Sequence, residues 1–188
     1  EALKVIFDHP VRNLLDVGGN TGKWALQCVG HDPDVEVTIL DLPQQIGLMK
    51  EETAGKPGAE RIHGCGGNLL DPATKFPSDK EYDVIWMSQF LDCFSEDEIL
   101  GILTRAAEVL RPGARLCIME LLWNRQRFET AAFCLTMTSL YFTAMANGNS
   151  KMYYSEDLTR LIEKAGMKVD RIIDGIGQGH NILICVKE

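Results

Sequence analysis

The 188-residue sequence has no CxxC pair, no surplus of basic residues, and no apolar run long enough to span a bilayer. Each absence excludes something. The six cysteines, Cys28, Cys65, Cys93, Cys117, Cys134 and Cys185, are scattered, several of them inside apolar runs where a reduced thiol behaves as a small hydrophobe. That pattern argues against a zinc site and for a reducing, cytoplasmic setting. Lys and Arg number 19 against 27 Asp and Glu, a formal net charge of -8, which disfavours nucleic acid and anionic membranes as partners. A small-molecule partner fits this balance better. The most apolar long stretch, AAFCLTMTSLYFTAMA, is too short and too rich in Thr for a transmembrane helix, and no signal peptide is visible. The chain opens on Glu1 rather than Met, as a fragment or processed form of a longer protein would. Its 45% hydrophobic and 24% charged residues suit one globular domain over residues 1–188 with a sizeable core.

What is present is an alternation of short β-rich runs and longer helical patterns, the pattern of a parallel sheet with right-handed crossovers. RNLLDV, VEVTILD, a weak run near ERIHG, YDVIWMS and ARLCIMEL read as successive strands. TGKWALQCVG, the segment after Leu42-Pro43, and SEDEILGILTRAAEVLRPG read as helices. In the last of these Ser95 and Glu98 form a capping box, and Pro112-Gly113 stops the helix. After the helix SEDLTRLIEKAG, only the short turn GIGQG separates KVDRIID from HNILICVK. So short a turn holds no crossover helix, and the final strand must run antiparallel. The expected fold is one α/β domain, a Rossmann-like doubly wound, mostly parallel sheet closed by a C-terminal antiparallel hairpin.

In an open parallel sheet ligands bind beyond the carboxyl ends of the strands, so the first strand-to-helix turn, LLDVGGNTGKW, is the place to look. Gly18, Gly19 and Gly22 allow a tight turn and a close approach to a ligand. Asp41, ending the second strand, stands where an acid grips ribose hydroxyls. A ribose-bearing ligand follows, with a structural turn as the alternative. The dinucleotide fingerprint GxGxxG is absent, because Asn20 and Lys23 occupy two of its glycine positions.

DVGGNTG resembles the DxGxGxG motif of class I S-adenosylmethionine (SAM)-dependent methyltransferases, with Asn20 in place of the middle glycine. LLDVGGNTGKW, TILDLPQQI, LRPGARLCIMELL and SEDLTRLIEKAGM together resemble the catalytic domain of the small-molecule O-methyltransferases, which include plant caffeate and flavonoid enzymes and bacterial polyketide methyltransferases. The resemblance covers nearly the whole chain and is most specific in its cofactor half. It implies SAM as cofactor, with S-adenosylhomocysteine (SAH) as product. It places Asp16, Gly18, Gly19, Asn20 and Gly22 around the methionine moiety, Asp41 on the ribose, Leu42 beside the adenine, and Phe94 as its stacking aromatic. Asn68 takes the position of an acid that the family carries in a GDxF pattern, and Leu69 and Ser88 are counted with the cofactor set. Asp71 is a fallback ligand, with a turn before Pro72 as its more ordinary role. The resemblance also implies an N-terminal helical domain that dimerises, nothing of which is visible here, and hence a homodimer in the full-length protein.

The family deprotonates its acceptor with a histidine in a pattern like LHDW, oriented by glutamates. In MSQFLDCFSED, Asp92 stands in the seat of that histidine and Cys93 in that of the next acid. Glu120 matches the first glutamate, while Met152 replaces the second. Three readings stay open: Asp92 is a base with a raised pKa, no strong base is needed, or the domain binds cofactor without transferring anything. His180, opening the antiparallel last strand, shares a rim with Asp92 and Glu120 and is a further candidate base, or else a histidine hydrogen-bonded within its turn. Phe133, Met137, Tyr141 and Met145 recur every fourth residue, which puts them on one helical face. That face is either core or subunit contact, or the substrate-pocket wall the resemblance implies. The reading is a SAM-dependent O-methyltransferase of a small hydroxylated or aromatic molecule, with a non-catalytic SAM-binding or dimerisation protein as its rival.

Overall fold

The structure, a computed structural model, describes residues 1–146 and 148–187. Seven strands form one sheet in the order β3-β2-β1-β4-β5-β7-β6. They are β1 (Asn13–Val17), β2 (Glu36–Asp41), β3 (Ile62–Gly66), β4 (Val84–Ser88), β5 (Arg115–Glu120), β6 (Met167–Ile176) and β7 (His180–Lys187). The first five run parallel, and β7 pairs antiparallel with both β5 and β6. The helices are α1 (Ala2–Ile6), α2 (Lys23–His31), α3 (Pro43–Thr53), α4 (Glu96–Val109), α5 (Glu129–Tyr141) and α6 (Ser155–Lys164).

Side chains alternate across each strand, and the central strands are apolar on both faces because helices cover both. Leu15, Val17, Ile85 and Met87 pack toward α4 and α6, whereas Leu14, Val37, Ile39 and Trp86 pack toward α2 and α3. The capping box of α4 forms as Ser95 and Glu98 predict, with Ser95 N donating to Glu98 Oε2 at 2.8 Å. The third strand is hard to read from sequence because it lies at the sheet edge: only Ile62 is buried, and His63, Gly64 and Gly66 face solvent. The hairpin differs in one detail from the sequence reading. Gly175 and Ile176 belong to β6, so the turn is shorter than GIGQG and spans residues 177–179. Among the described residues no helix is long and apolar enough to cross a membrane.

The carboxyl ends of β1, β2, β4 and β5 converge where the strand order reverses between β1 and β4, the crevice in which such sheets bind ligands.

Candidate active site

Beyond β1 the backbone enters the left-handed region three times, at Gly18 (φ 74°), Asn20 (φ 51°) and Gly22 (φ 76°). Gly18 N donates to Leu40 O at 2.9 Å, which ties the loop to the end of β2. No larger residue fits the first two glycine positions. A Cβ on Gly18 would lie 2.4 Å from the Phe90 ring, and one on Gly19 would lie 2.5 Å from Asp16 Oδ2. The Asp16 carboxyl is thus sealed beneath the loop. It is 2% exposed, its Oδ2 has no hydrogen-bond partner, and burial, followed by the charge of Asp41, raises its pKa to about 7. Asp41 braces the loop from outside. Its Oδ2 accepts from Asn20 N at 2.9 Å and its Oδ1 from Leu42 N at 2.7 Å.

Next to this loop an apolar groove is walled by Leu42, Leu69, Leu70, Phe90 and Phe94, with Asp41 and Asn68 on its rim. The sequence-predicted Asp41, Leu42, Asn68, Leu69 and Phe94 are therefore brought together, and Gly18 meets the same groove through Phe90. Ser88 ends β4 and is not part of the groove wall. Phe90 and Phe94 stand edge to face with ring centroids 4.9 Å apart. Phe90 and Leu70 were not singled out by sequence; Phe90 was legible only as one more apolar residue in MSQFLDCF. Asn68 Oδ1 accepts from Leu70 N at 3.0 Å, and Asp71 Oδ1 accepts from Ala73 N at 2.9 Å, the turn-capping role its position before Pro72 suggests.

At the end of β4, Gln89 takes a positive φ of 48° and hands the chain to a single 3-10 turn, Leu91–Cys93. Glu120, at the end of β5, holds that turn. Its Oε1 accepts from Phe90 N at 3.0 Å and Leu91 N at 2.8 Å. Two further bonds fix the turn from the other side: Lys151 N donates to Asp92 O at 2.9 Å, and Tyr153 Oη donates to Phe94 O at 2.6 Å. Glu120 is 2% exposed, and its Oε2 has no partner. Burial first, then the charge of Asp92, pushes its carboxyl up to about 8 against the opposing pull of the backbone N–H groups. Burial likewise raises Asp92, while the nearby Cys93 and His180 work the other way. The Cys93 thiol, 3.5 Å from Asp92 Oδ1, is pushed up to about 11 by burial and then by that carboxylate. Both effects favour the thiol over the reactive thiolate.

His180 opens β7, one residue before Asn181, which pairs with Glu120 across the sheet. Its Nε2 is buried with no hydrogen-bond partner, so the ring nitrogen is not satisfied within the GIGQG turn. Asn181, fully buried and missed by the sequence reading, accepts from Leu122 N at 3.2 Å and donates to Asp174 Oδ1 at 2.8 Å, which joins the exit of β5 to the hairpin. Met152 is buried and brings no carboxylate; its N–H donates to Ser139 Oγ at 2.8 Å.

The four-residue apolar stripe is not core. Phe133, Met137, Tyr141 and Met145 are 63%, 43%, 61% and 74% exposed, and none of them reaches the groove beside Phe90 and Phe94. Met145 lies beyond the end of α5, in the π-helical turn Phe142–Ala146.

A doubly wound sheet with this strand order, a glycine loop under an acid-rimmed groove, and a closing antiparallel hairpin define a class I methyltransferase fold. Within that class the chain belongs to the O-methyltransferase domain family, whose pattern it matches over residues 1–168. It is 28% identical to norreticuline-7-O-methyltransferase of Papaver somniferum over 87% of this chain and 42% of that protein. It is 29% identical to 3-amino-4-hydroxybenzoate 4-O-methyltransferase of Streptomyces cremeus over 86% of this chain and 42% of that one. The solved structure of the mitomycin 7-O-methyltransferase MmcR superimposes with a TM-score of 0.83 at 20% identity, covering 100% of this chain and 53% of that one. PigF with SAH superimposes at 0.81 with 19% identity, covering 97% and 53%. The chain thus spans about half the length of these relatives.

Proposed function

We propose that residues 1–188 form the SAM-binding catalytic domain of an O-methyltransferase that acts on a small hydroxylated or aromatic molecule, with Asp92 as the base. The observation that carries the reading is the Asp92 turn: Phe90 and Phe94, two residues to either side of Asp92, line the groove, and Glu120 holds the backbone between them through the Phe90 and Leu91 N–H groups. Asp41 would hold the ribose, Phe94, Leu42 and Asn68 the base, and the glycine loop over Asp16 the amino-acid end. The fit rests on the groove itself, where Asp41 and Asn68 bring acceptor oxygens beside the apolar walls of Leu42, Leu69 and Phe94. SAM, when bound, supplies an electrophilic methyl group on a sulfonium.

The residues of the chain have the remaining task, removal of a proton. A phenol with a pKa of about 10 is a poor nucleophile at neutral pH, and a carboxylate of raised pKa is better matched to it than an ordinary aspartate. Asp92 accepts the hydroxyl proton, and Glu120 acts as a positioning residue by fixing the backbone of the turn that carries it. The relatives' names point the same way, since norreticuline, norcoclaurine and aminohydroxybenzoate are the substrates they state. Homodimerisation in the full-length protein and a cytoplasmic setting belong to the same reading. The exposed apolar residues of α5 support the first, and six free thiols support the second.

A second reading, SAM binding without transfer, is favoured by Met152 and Asp92 standing where the family carries a glutamate and a histidine. A screen of labelled methyl transfer to catechols and phenols separates the two, comparing wild type with Asp92→Asn and His180→Ala. Transfer by the wild type that falls in Asp92→Asn supports the first reading. SAM binding with no transfer to any acceptor supports the second, and transfer untouched by either substitution refutes both candidate bases.

A further inference from the structure

We infer that Arg105, outside the groove, is a positioning residue for it: its guanidinium fixes the loop that forms the groove's base-binding end. The inference rests on the reading of the groove as the cofactor site. Residues 67–83, between β3 and β4, contain no strand or helix, so their carbonyls have no ladder to satisfy them. From α4, Arg105 supplies donors to three of them. Its Nε donates to Gly101 O at 3.0 Å, one turn back on its own helix, which aims the guanidinium outward. One terminal nitrogen then donates to Asp71 O at 2.9 Å and Thr74 O at 2.7 Å, and the other donates to Leu69 O at 2.5 Å.

Leu69 is the link between clamp and groove. Its carbonyl is held by Arg105, its side chain is 7% exposed, and it lines the groove between Asn68 and Leu70. At its two ends the loop is tied to the sheet, by Gly67 N donating to Asp41 O at 2.9 Å and by Asp83 N donating to Asn13 O at 2.9 Å. Between them, within residues 68–74, the other hydrogen bonds are local turns: Asp71 N to Asn68 O, Thr74 N to Asp71 O, and the Asn68 and Asp71 side chains to Leu70 N and Ala73 N. Those local bonds shape the segment and do not anchor it to the domain. Arg105 does, and α4 is itself fixed by its buried face of Ile99, Ile102, Leu103 and Ala106. A planar fork reaching three carbonyls is beyond lysine, whose ammonium is a compact point donor. Arg105 therefore sets how much ordering the loop must undergo when ligand binds, and so sets affinity without touching the ligand.

The test is SAH titration calorimetry on wild type, Arg105→Ala, Arg105→Lys, Asp41→Ala and a same-helix control, Thr104→Ala, with steady-state kinetics and hydrogen exchange alongside. Both Arg105 variants are expected to bind SAH about tenfold more weakly, as loss of loop preorganisation would give. Their KM for SAM should rise while kcat at saturating SAM and KM for the acceptor hold, and amides at 69–74 should exchange faster. Thr104→Ala should match wild type. If Arg105→Ala does not fold, Arg105→Lys carries the test alone. SAH binding that is lost in Asp41→Ala but unchanged in the Arg105 variants overturns the clamp and leaves the groove reading intact. A kcat and acceptor KM that change together with SAM KM also overturn it. No SAH binding by wild type, or binding indifferent to Asp41→Ala, overturns the groove reading and the clamp with it.

Discussion

Replacing Asp16 with Asn should stabilise the protein, and by more as the pH rises. In the folded state the carboxyl is sealed under Gly19, and its pKa rises from 3.8 to about 7. The unfolded chain carries an ordinary aspartate. Between those two values the native state holds a proton that the unfolded state has lost. Stability is therefore highest below about pH 4 and falls as pH climbs toward 7, where the native carboxyl ionises too. Three pKa units at about 1.4 kcal/mol each make a total penalty of about 4 kcal/mol, large against the ~5–15 kcal/mol of a typical domain. About half of it, roughly 2 kcal/mol, accrues between about pH 5.5 and pH 8. Urea unfolding of wild type and Asp16→Asn at those two pH values reads it directly. Glu120 also titrates in this window, but equally in both proteins, so the difference curve isolates Asp16. Parallel stability curves for the two proteins would refute the buried, protonated carboxyl.

Three further outcomes follow from the same geometry. The kcat/KM of the wild type should rise with pH through an acid limb above the usual aspartate range, because the proposed base is the ionised Asp92; Asp92→Asn should flatten that limb and lower turnover about a hundredfold or more. Glu120→Ala should destabilise the fold by about 1–3 kcal/mol in urea titrations by stranding the Phe90 and Leu91 N–H groups, while Glu120→Gln, which keeps an acceptor oxygen, should lose much less. Gly18→Ala combines a left-handed residue with a Cβ driven into Phe90; it should cost about 1–2 kcal/mol for the backbone alone and lower both Tm and SAH affinity.

Much of this architecture is legible in the sequence because its signals are local. The βα alternation, the Ser95–Glu98 cap and the tight C-terminal hairpin each follow from a few neighbouring residues, and so does the placement of Asp41 at the end of β2. Other features depend on contacts between distant segments. Glu120 is 29 and 30 residues from the N–H groups it holds, and Arg105 reaches carbonyls 31 to 36 residues away. No periodicity marks such a bond. The i, i+4 spacing of Phe133, Met137 and Tyr141 marks one face of a helix correctly but cannot say what covers it, and in this structure the face is exposed. The depth of Asp16 is likewise invisible in DVGGNTG, because it comes from the Gly19 backbone folding over its own side chain.

Titration of SAM and SAH into the protein and into Asp41→Ala tests the proposed adenosyl-binding groove between the glycine loop, Asp41 and Phe94. Saturable one-site binding of both ligands to the wild type is expected, with a marked loss in the variant. No binding of either ligand to the wild type would contradict it.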